Sequence, residues 1–416
     1  MIRKLNLKIE NLFFNLFLVL LFSIPFLEIK ILNISINPFL LLIVGCFFFS
    51  LAYCKGKKDI LLLKSYNIKN NKILFLMILI LLVMVFSITY SVEKKLAISE
   101  TMRFLSYILL FFIIQIKCIE NDKSVTKIIS VYLLQISVVC ILGIVQYFTL
   151  IGLSSDYINT LGGKVRICAT YDNPNAFGAY LLIAIFPIIV MLFNEKSKKL
   201  KTTYFLIALL VTINIFLTGS RNALLAIALG IVLLIVFYDK KFSIVGILLT
   251  IIGVCVPAIN KRISDFANPE QNIQRFKLWE TAIHVIKEHF TFGVGNGNFV
   301  SVYDYYVNKF PELRYRNYSR YTTHNSFLKI QSELGIAGTL LFSILLIYII
   351  IRVYKLHKIC DNSVIKSFYT GFLISIIVFY IMNLFDNLFF VPKVIYLFWI
   401  FVAIGDKVIC NKSRRE

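Results

Sequence analysis

Charged side chains are scarce in this chain, and its cysteines do not come in pairs. Charged residues make up 16% of the sequence, whereas a soluble protein carries about a quarter. The eight cysteines stand singly and no CxxC occurs. Their spacing therefore indicates neither a disulfide framework nor a zinc site. The low charge excludes an ordinary soluble domain.

The sequence contains many long apolar runs. The mean hydropathy is +0.81, and runs of about 20 apolar residues can each cross a bilayer core of about 30 Å. The backbone must satisfy its own hydrogen bonds in lipid, so these runs predict helices. We predict an all-α polytopic membrane protein, a single domain over 1–416, with about twelve transmembrane helices. Their predicted bounds are 11–27, 34–53, 73–90, 97–116, 128–150, 175–193, 204–218, 222–238, 242–259, 335–351, 367–384 and 388–405.

The basic residues are distributed as a topology signal. The net charge is +22, which in a soluble protein would indicate nucleic acid. However, 26 basic and 8 acidic residues lie in alternate connections. Such connections face the cytoplasm. We therefore expect both termini inside and no nucleic-acid partner, with the first apolar run retained as a helix because no small-residue cleavage site follows it. The predicted cytoplasmic connections are 1–10, 54–72, 117–127, 194–203, 239–241, 352–366 and 407–416.

The opposite face carries the only long polar insertion, residues 260–334. With the N-terminus inside, this loop and the segments 151–174 and 219–221 face outward. Within the loop, Phe276, Trp279, Ile283 and Ile286 form one apolar helical stripe. The stripe predicts an amphipathic helix that lies on the outer membrane surface as a partial lid, or one that caps the helix bundle. The next segment, TFGVGNGNF, lacks the βαβ context of a dinucleotide loop and predicts a tight turn.

Several polar residues at the outer rim are candidates for chemistry. His324 lies where the long loop enters an apolar helix, and histidine accepts a proton near neutral pH. A histidine in this place can equally be a structural cap. Arg221 occupies a very short outer turn, and Arg166 precedes a DNPN turn that contains Asn175. Arg275 begins the predicted surface helix. Guanidinium groups bind phosphate oxygens in pairs, so these arginines suit a diphosphate.

Tyrosines and arginines alternate between residues 303 and 325, where Arg320 is the last arginine. Outside a cell, aromatic rings beside guanidinium groups suit sugar rings and phosphates. A solvated basic loop would have the same composition. In the fourth span, Glu100 and Arg103 are one turn apart, and pairing between them is the preferred interpretation.

The outer face also lacks the motifs of several enzyme classes. No DxD, HExxH or GxSxG occurs there, and nucleotide sugars are not expected outside the cell. A sugar donor on this face must already be activated on a lipid carrier.

The order of these motifs resembles the O-antigen ligase and polymerase superfamily of bacterial membrane glycosyltransferases. The similarity extends along the chain: RxxxTYxNPN before the sixth span, SRxxxL after the seventh, RxxxW and GxGxGxF in the outer loop, and HNxxLxxxxExGxxG from His324 to Gly338. In that family the arginines of the SRxxxL and outer-loop motifs and the histidine belong to the active site. The resemblance therefore implies that Arg221, Arg275 and His324 are catalytic.

The resemblance implies transfer of a glycan from undecaprenyl diphosphate to a sugar hydroxyl at the outer face of the inner membrane. The arginines would neutralise the leaving diphosphate and His324 would accept the hydroxyl proton. Attack opposite the leaving group implies inversion, without a metal or other cofactor. Arg166, Asn175 and Arg320 would contact the substrate, whereas Asn325 and Glu333 would hold His324 and its helix.

The acceptor distinguishes two activities within this family. A ligase uses lipid A-core as acceptor and a polymerase uses another lipid-linked glycan; the family name favours the ligase. A transporter or flippase is the third alternative, although it would require polar or broken helices at mid-bilayer.

Overall fold

The computed structural model describes residues 2–31, 34–53, 71–119, 121–159, 164–255, 269–316 and 318–412. These residues form α-helices α1 to α14 and two short antiparallel hairpins. The helices are α1 Ile2–Ser23, α2 Pro38–Tyr53, α3 Lys72–Ser87, α4 Lys94–Ile113, α5 Asp122–Thr149, α6 Pro174–Asn194, α7 Lys198–Leu217, α8 Arg221–Phe237, α9 Ser243–Cys255, α10 Pro269–Glu288, α11 Phe299–Lys309, α12 Ser326–Ile359, α13 Ser363–Met382 and α14 Pro392–Lys412. The hairpins pair Ile29–Ile31 (β1) with Ile34–Ile36 (β2) and Ile158–Asn159 (β3) with Lys164–Val165 (β4).

A helix overlaps every predicted span, which confirms the helical polytopic membrane class. Seven of the described helices are long and apolar enough to cross a membrane, and four apolar helices are shorter. The count of twelve spans stays a prediction. The predicted span 242–259 is described only to residue 255, and the basic stretch 55–58 lies outside the described residues.

Polar caps set the start of several helices, among them α3, α6 and α8. The side-chain oxygens of Asn71, Asn173 and Ser220 accept hydrogen bonds from the N–H groups of Leu74, Ala176 and Ala223. Such caps satisfy donors that the first helical turn leaves unpaired. These caps therefore explain why α3, α6 and α8 begin where their apolar runs begin.

The chain divides into two compact units. The first comprises Met1–Val131, Arg275–Leu356 and Ile395–Glu416, and the second comprises Tyr132–Gln274 and His357–Val394. Helix α6 is the centre of the second unit, because 89% of its most apolar window is buried. It packs against α7, α8 and α13.

A proline inside α6 is compensated by a neighbouring helix. Pro187 has no N–H to donate to the carbonyl of Ile183 one turn earlier. The Ser375 hydroxyl of α13 lies 3.1 Å from that carbonyl oxygen and 3.0 Å from the carbonyl oxygen of Leu182. In lipid an unpaired carbonyl is costly. Ser375 therefore explains how a buried central helix accommodates its proline.

In the first unit, Glu100 and Arg103 form the predicted pair on α4. The Arg103 guanidinium lies 3.0 Å from each carboxylate oxygen of Glu100. Both side chains are largely buried, and a charge in such a place requires a partner. The predicted structural pairing is confirmed.

Candidate functional site

The long outer loop is folded over its described part, residues 269–316 and 318–334, and has a small core of its own. Helices α10 and α11 lie in this loop. Their buried side chains form one cluster: Leu278, Ala282, Val285, Val294, Phe299, Tyr303, Tyr306 and Val307. The loop therefore presents a fixed surface for the residues that follow it.

Helix α10 is present where the amphipathic helix is predicted, and its position on the membrane surface stays a prediction. Its buried face is not the predicted stripe. The buried side chains are Leu278, Ala282 and Val285, whereas Phe276 and Ile283 of the predicted stripe are exposed. The face with Leu278, Ala282 and Val285 belongs to the core of the loop. Phe276 and Ile283 therefore remain available for the predicted contact with the membrane surface, whereas Trp279 of the same stripe packs against the loop core.

The predicted turn in TFGVGNGNF is confirmed, and it pairs with a break in α12. Gly335 has φ +63° and ψ −163°, which is not helical. Beside it, the N–H groups of Val294 and Gly295 donate to the carbonyls of Ser332 and Glu333, each at 2.9 Å. A side chain at Gly335 would collide with the backbone of Thr291. The turn and the break therefore fix each other.

Glu333 joins this turn to α11. Its carboxylate accepts hydrogen bonds from the N–H groups of Gly297 at 2.9 Å and Phe299 at 3.2 Å. It also pairs with Lys329 of the same helix. Both side chains are buried. A carboxylate at a helix N-terminus is favourable, so the geometry agrees with the expected holding role of Glu333.

His324 lies immediately before α12 in a rarely populated backbone conformation. Its φ is +49°, in the left-handed region that few residues other than glycine adopt. The next residue, Asn325, starts the helix by accepting hydrogen bonds from the N–H groups of Phe327 and Leu328. The Nε2 atom of His324 lies 3.2 Å from the Tyr321 hydroxyl. Strained backbone of this kind occurs preferentially at functional sites.

Arg320, a predicted substrate contact, forms an ion pair with Glu93 at the start of α4. Its guanidinium lies 2.6 Å from the Glu93 carboxylate, and its N–H donates to Asp304. The hydrogen bond from Arg320 holds the pKa of Glu93 below its ordinary value. The pair is therefore complete at neutral pH, and it is lost as the pH falls through the lowered pKa of Glu93.

This ion pair leads to a prediction that distinguishes two roles of Arg320: positioning the outer loop through Glu93, or binding the substrate. If Arg320 positions the loop through Glu93, Arg320→Gln and Glu93→Gln should each lower glycan transfer by a similar few-fold factor, since exposed pairs contribute about 0–1 kcal/mol. The double variant should be no worse than either single one. Transfer rates of the four proteins measure this coupling. A loss confined to Arg320→Gln would instead assign Arg320 to the substrate.

In the second unit, Asn175 is the centre of a polar cluster at the start of α6. The Asn175 side-chain oxygen lies 2.9 Å from the Ser220 hydroxyl and 3.4 Å from the Arg166 guanidinium. Arg166 also donates to the Thr218 carbonyl at 3.0 Å. Arg221 follows Ser220 as the first residue of α8. The structure thus brings Arg166 and Asn175 to the turn that carries Arg221.

Sequence reasoning missed an acidic member of this cluster. The Asn175 amide donates to the Asp386 carboxylate at 3.0 Å, and Asp386 is 9% exposed. The available signal was an acidic residue in the short connection between two apolar runs, where an ionisable group is costly unless it is paired or functional. Nearby, the Lys393 ammonium donates to the Thr170 carbonyl at 2.7 Å.

The six predicted site residues therefore belong to two groups. Arg166, Asn175 and Arg221 belong to the second unit. Arg275, Arg320 and His324 belong to the first unit, where Arg275 is half-buried on α10. In each group one arginine has fixed partners: Arg166 contacts Asn175 and the Thr218 carbonyl, and Arg320 contacts Glu93.

Two comparisons with known proteins bear on these groups. Residues 205–343 match the model of the family described as O-antigen ligase, Wzy_C. The chain is also 25% identical over 258 residues to the teichuronic acid biosynthesis protein TuaE of Bacillus subtilis (strain 168). That alignment covers 57% of this chain and 50% of the relative, so the chain spans about half the length of the relative that it matches.

The matched segment begins in α7 and ends in α12, and it contains the whole described outer loop. The resemblance that the order of the motifs predicts is confirmed over this segment, since residues 205–343 are similar to the O-antigen ligase family.

Proposed function

We propose that this membrane protein is a glycosyltransferase that moves a glycan from undecaprenyl diphosphate to a sugar hydroxyl. One observation carries the proposal: the segment that matches the O-antigen ligase family contains Arg221, Arg275 and His324 together. The outer loop that holds two of these residues has its own packed core. A folded loop of this kind supports a reaction at the membrane surface, whereas transport would not require it.

The chemistry follows from the residue types. The acceptor oxygen attacks the anomeric carbon of the donor sugar, the bond from that carbon to the diphosphate oxygen breaks, and undecaprenyl diphosphate leaves. Arg221 and Arg275, with Arg166, stabilise the charge that develops on the diphosphate, which is often the largest contribution to catalysis. His324 takes the proton of the acceptor hydroxyl, a contribution of about 10²–10⁴-fold. Direct attack inverts the anomeric carbon and requires no metal ion.

The topology and acceptor belong to the same proposal. The distribution of basic residues supports cytoplasmic termini and an outer loop on the external side of the inner membrane. The description of the matching family favours a ligase that uses lipid A-core as acceptor. The relative named for teichuronic acid biosynthesis favours the second candidate, a polymerase that uses a lipid-linked glycan as acceptor.

Deletion of the gene tests the proposal and separates the two acceptors. Surface polysaccharide and lipid-linked glycan from the deletion strain are compared on gels with those from the parent and from a strain with the gene restored. Full-length chains that remain on the lipid carrier are the result expected of a ligase, and single repeat units are the result expected of a polymerase. An unchanged pattern of both fractions would contradict the glycosyltransferase assignment.

A further inference from the structure

Three tyrosines before His324 form a set of nearly parallel rings. The ring centroids of Tyr315 and Tyr321 are 4.7 Å apart, and those of Tyr318 and Tyr321 are 5.0 Å apart. The ring planes differ by 11° and 14°, and those of Tyr315 and Tyr318 by 21°. Side chains that merely covered a surface would have no need of a common orientation.

The tyrosine cluster, defined as Tyr315, Tyr318 and Tyr321, packs against the core of the outer loop on one side. Tyr315 and Tyr321 pack against the core of the outer loop, whereas Tyr318 is 45% exposed. The Tyr303 hydroxyl, 3.0 Å from the N–H of Tyr315, accepts its hydrogen bond. The rings are therefore fixed before any ligand arrives, which lowers the entropy cost of binding.

Two residues of this segment adopt left-handed backbone conformations, which cost free energy. Arg316 and Arg320 have φ of +48° and +53°, and such conformations cost about 1–2 kcal/mol per residue. The Asp304 carboxylate holds the second of these positions by accepting from the Ser319 hydroxyl at 2.6 Å and from the Arg320 N–H at 3.2 Å. Strain that persists in a loop because other contacts fix it is typical of ligand-binding surfaces.

The tyrosine cluster ends at the proposed proton acceptor. The Tyr321 hydroxyl lies 3.2 Å from His324 Nε2, and the two ring centroids are 5.4 Å apart. A sugar on this surface would present its hydroxyls beside the histidine. The apolar C–H face of a pyranose packs well on an aromatic face, and the phenol groups supply hydrogen bonds at the edge.

We propose that the tyrosine cluster is the binding platform for the acceptor glycan, with Tyr318 as its exposed face. The inference rests on the proposed function, because it takes His324 as the group that accepts the acceptor's proton. The alternative occupant is the membrane surface, where tyrosines are also enriched. The charged residues Glu312, Arg314 and Arg316 within the same segment favour a glycan, since these side chains would lose hydration against lipid.

The test measures binding and transfer separately with the full chain in detergent. The binding probe is the oligosaccharide that mild acid releases from each candidate acceptor, lipid A-core and the lipid-linked glycan of the producing cells. Tyr318→Ala should weaken binding of this probe about 10-fold, while Tyr318→Phe should retain most of it. In transfer assays Tyr318→Ala should raise KM for the acceptor with little change in kcat. The control is Tyr305→Ala, which removes a 62% exposed tyrosine of α11 outside the tyrosine cluster.

The possible outcomes distinguish this inference from the function on which it rests. Equal binding of the probe by the wild type and Tyr318→Ala, or no binding by either, would overturn the platform. A fall in transfer by the same factor at every acceptor concentration, with unchanged probe binding, would assign Tyr318 to the membrane surface. Binding that depends on Tyr318 in a protein without transferase activity would keep the platform and overturn the proposed function.

Discussion

Replacement of His324 should lower the turnover of glycan transfer about 10²-fold or more while the donor still binds. The reason is the loss of the group that accepts the hydroxyl proton. The backbone guides the choice of variant, because His324 has φ +49°. Asparagine tolerates this left-handed conformation better than alanine does. His324→Asn therefore removes the proton acceptor with the least disturbance to the start of α12, and His324→Ala accompanies it.

The matched control is His289→Ala, which removes an exposed histidine from the same outer loop. Transfer rate is measured against donor concentration for the three variants, with expression and thermal unfolding followed in parallel. Well-folded His324→Asn that transfers glycan at the wild-type rate would reduce His324 to a structural residue before α12. The base would then be sought among Asp172, Asp304 and Glu312.

The helices were predictable from sequence because their cause is local. A run of about 20 apolar residues has to pair its own backbone in lipid, so each predicted span contains a helix. The beginnings were also readable, since Asn173 and Ser220 are cap residues directly before their runs. The break at Gly335 was not readable. It depends on hydrogen bonds to the turn around Val294 and Gly295, about 40 residues earlier in the chain.

In the outer loop, too, the features with a local cause were predictable and those that depend on distant contacts were not. An amphipathic helix was predictable from its period, and α10 is present. The face that packs into the loop core was not predicted, because α10 has apolar residues on more than one side. Only the packing partner decides which side is buried: Leu278 and Ala282 are buried in a cluster that also holds residues of α11, whereas Phe276 is exposed. Packing between two elements is not encoded in the period of either one.

The candidate site shows where residue types alone are insufficient. Histidine and arginine at the outer rim could be selected by their chemistry, but their partners could not. Glu93 pairs with Arg320 across 227 positions, and Asp386 meets Asn175 across 211. A single sequence contains no signal for such pairs. The structure therefore adds the contacts that distinguish a residue held by the protein from one available to substrate.

Arg221→Lys should weaken donor binding and also slow transfer about 10²-fold. Lysine keeps the charge but loses the planar pair of donors that grips a diphosphate. The loss should be larger in kcat/KM than in binding, because the leaving group gains charge in the transition state. The turn itself should remain intact, since the Ser220 side chain caps α8 and contacts Asn175.

The control for this variant is Lys309→Gln, which removes one positive charge from α11 whose salt bridge is to Glu288. It should leave transfer within about 2-fold of the wild type, because exposed pairs of this kind contribute little. Both variants are assayed in EDTA, which the wild type should tolerate if arginines carry the charge of the diphosphate. Wild-type kinetics in Arg221→Lys would remove Arg221 from the mechanism. Activity that EDTA abolishes and Mg²⁺ restores would replace the arginines with a metal ion as the group that stabilises the leaving diphosphate.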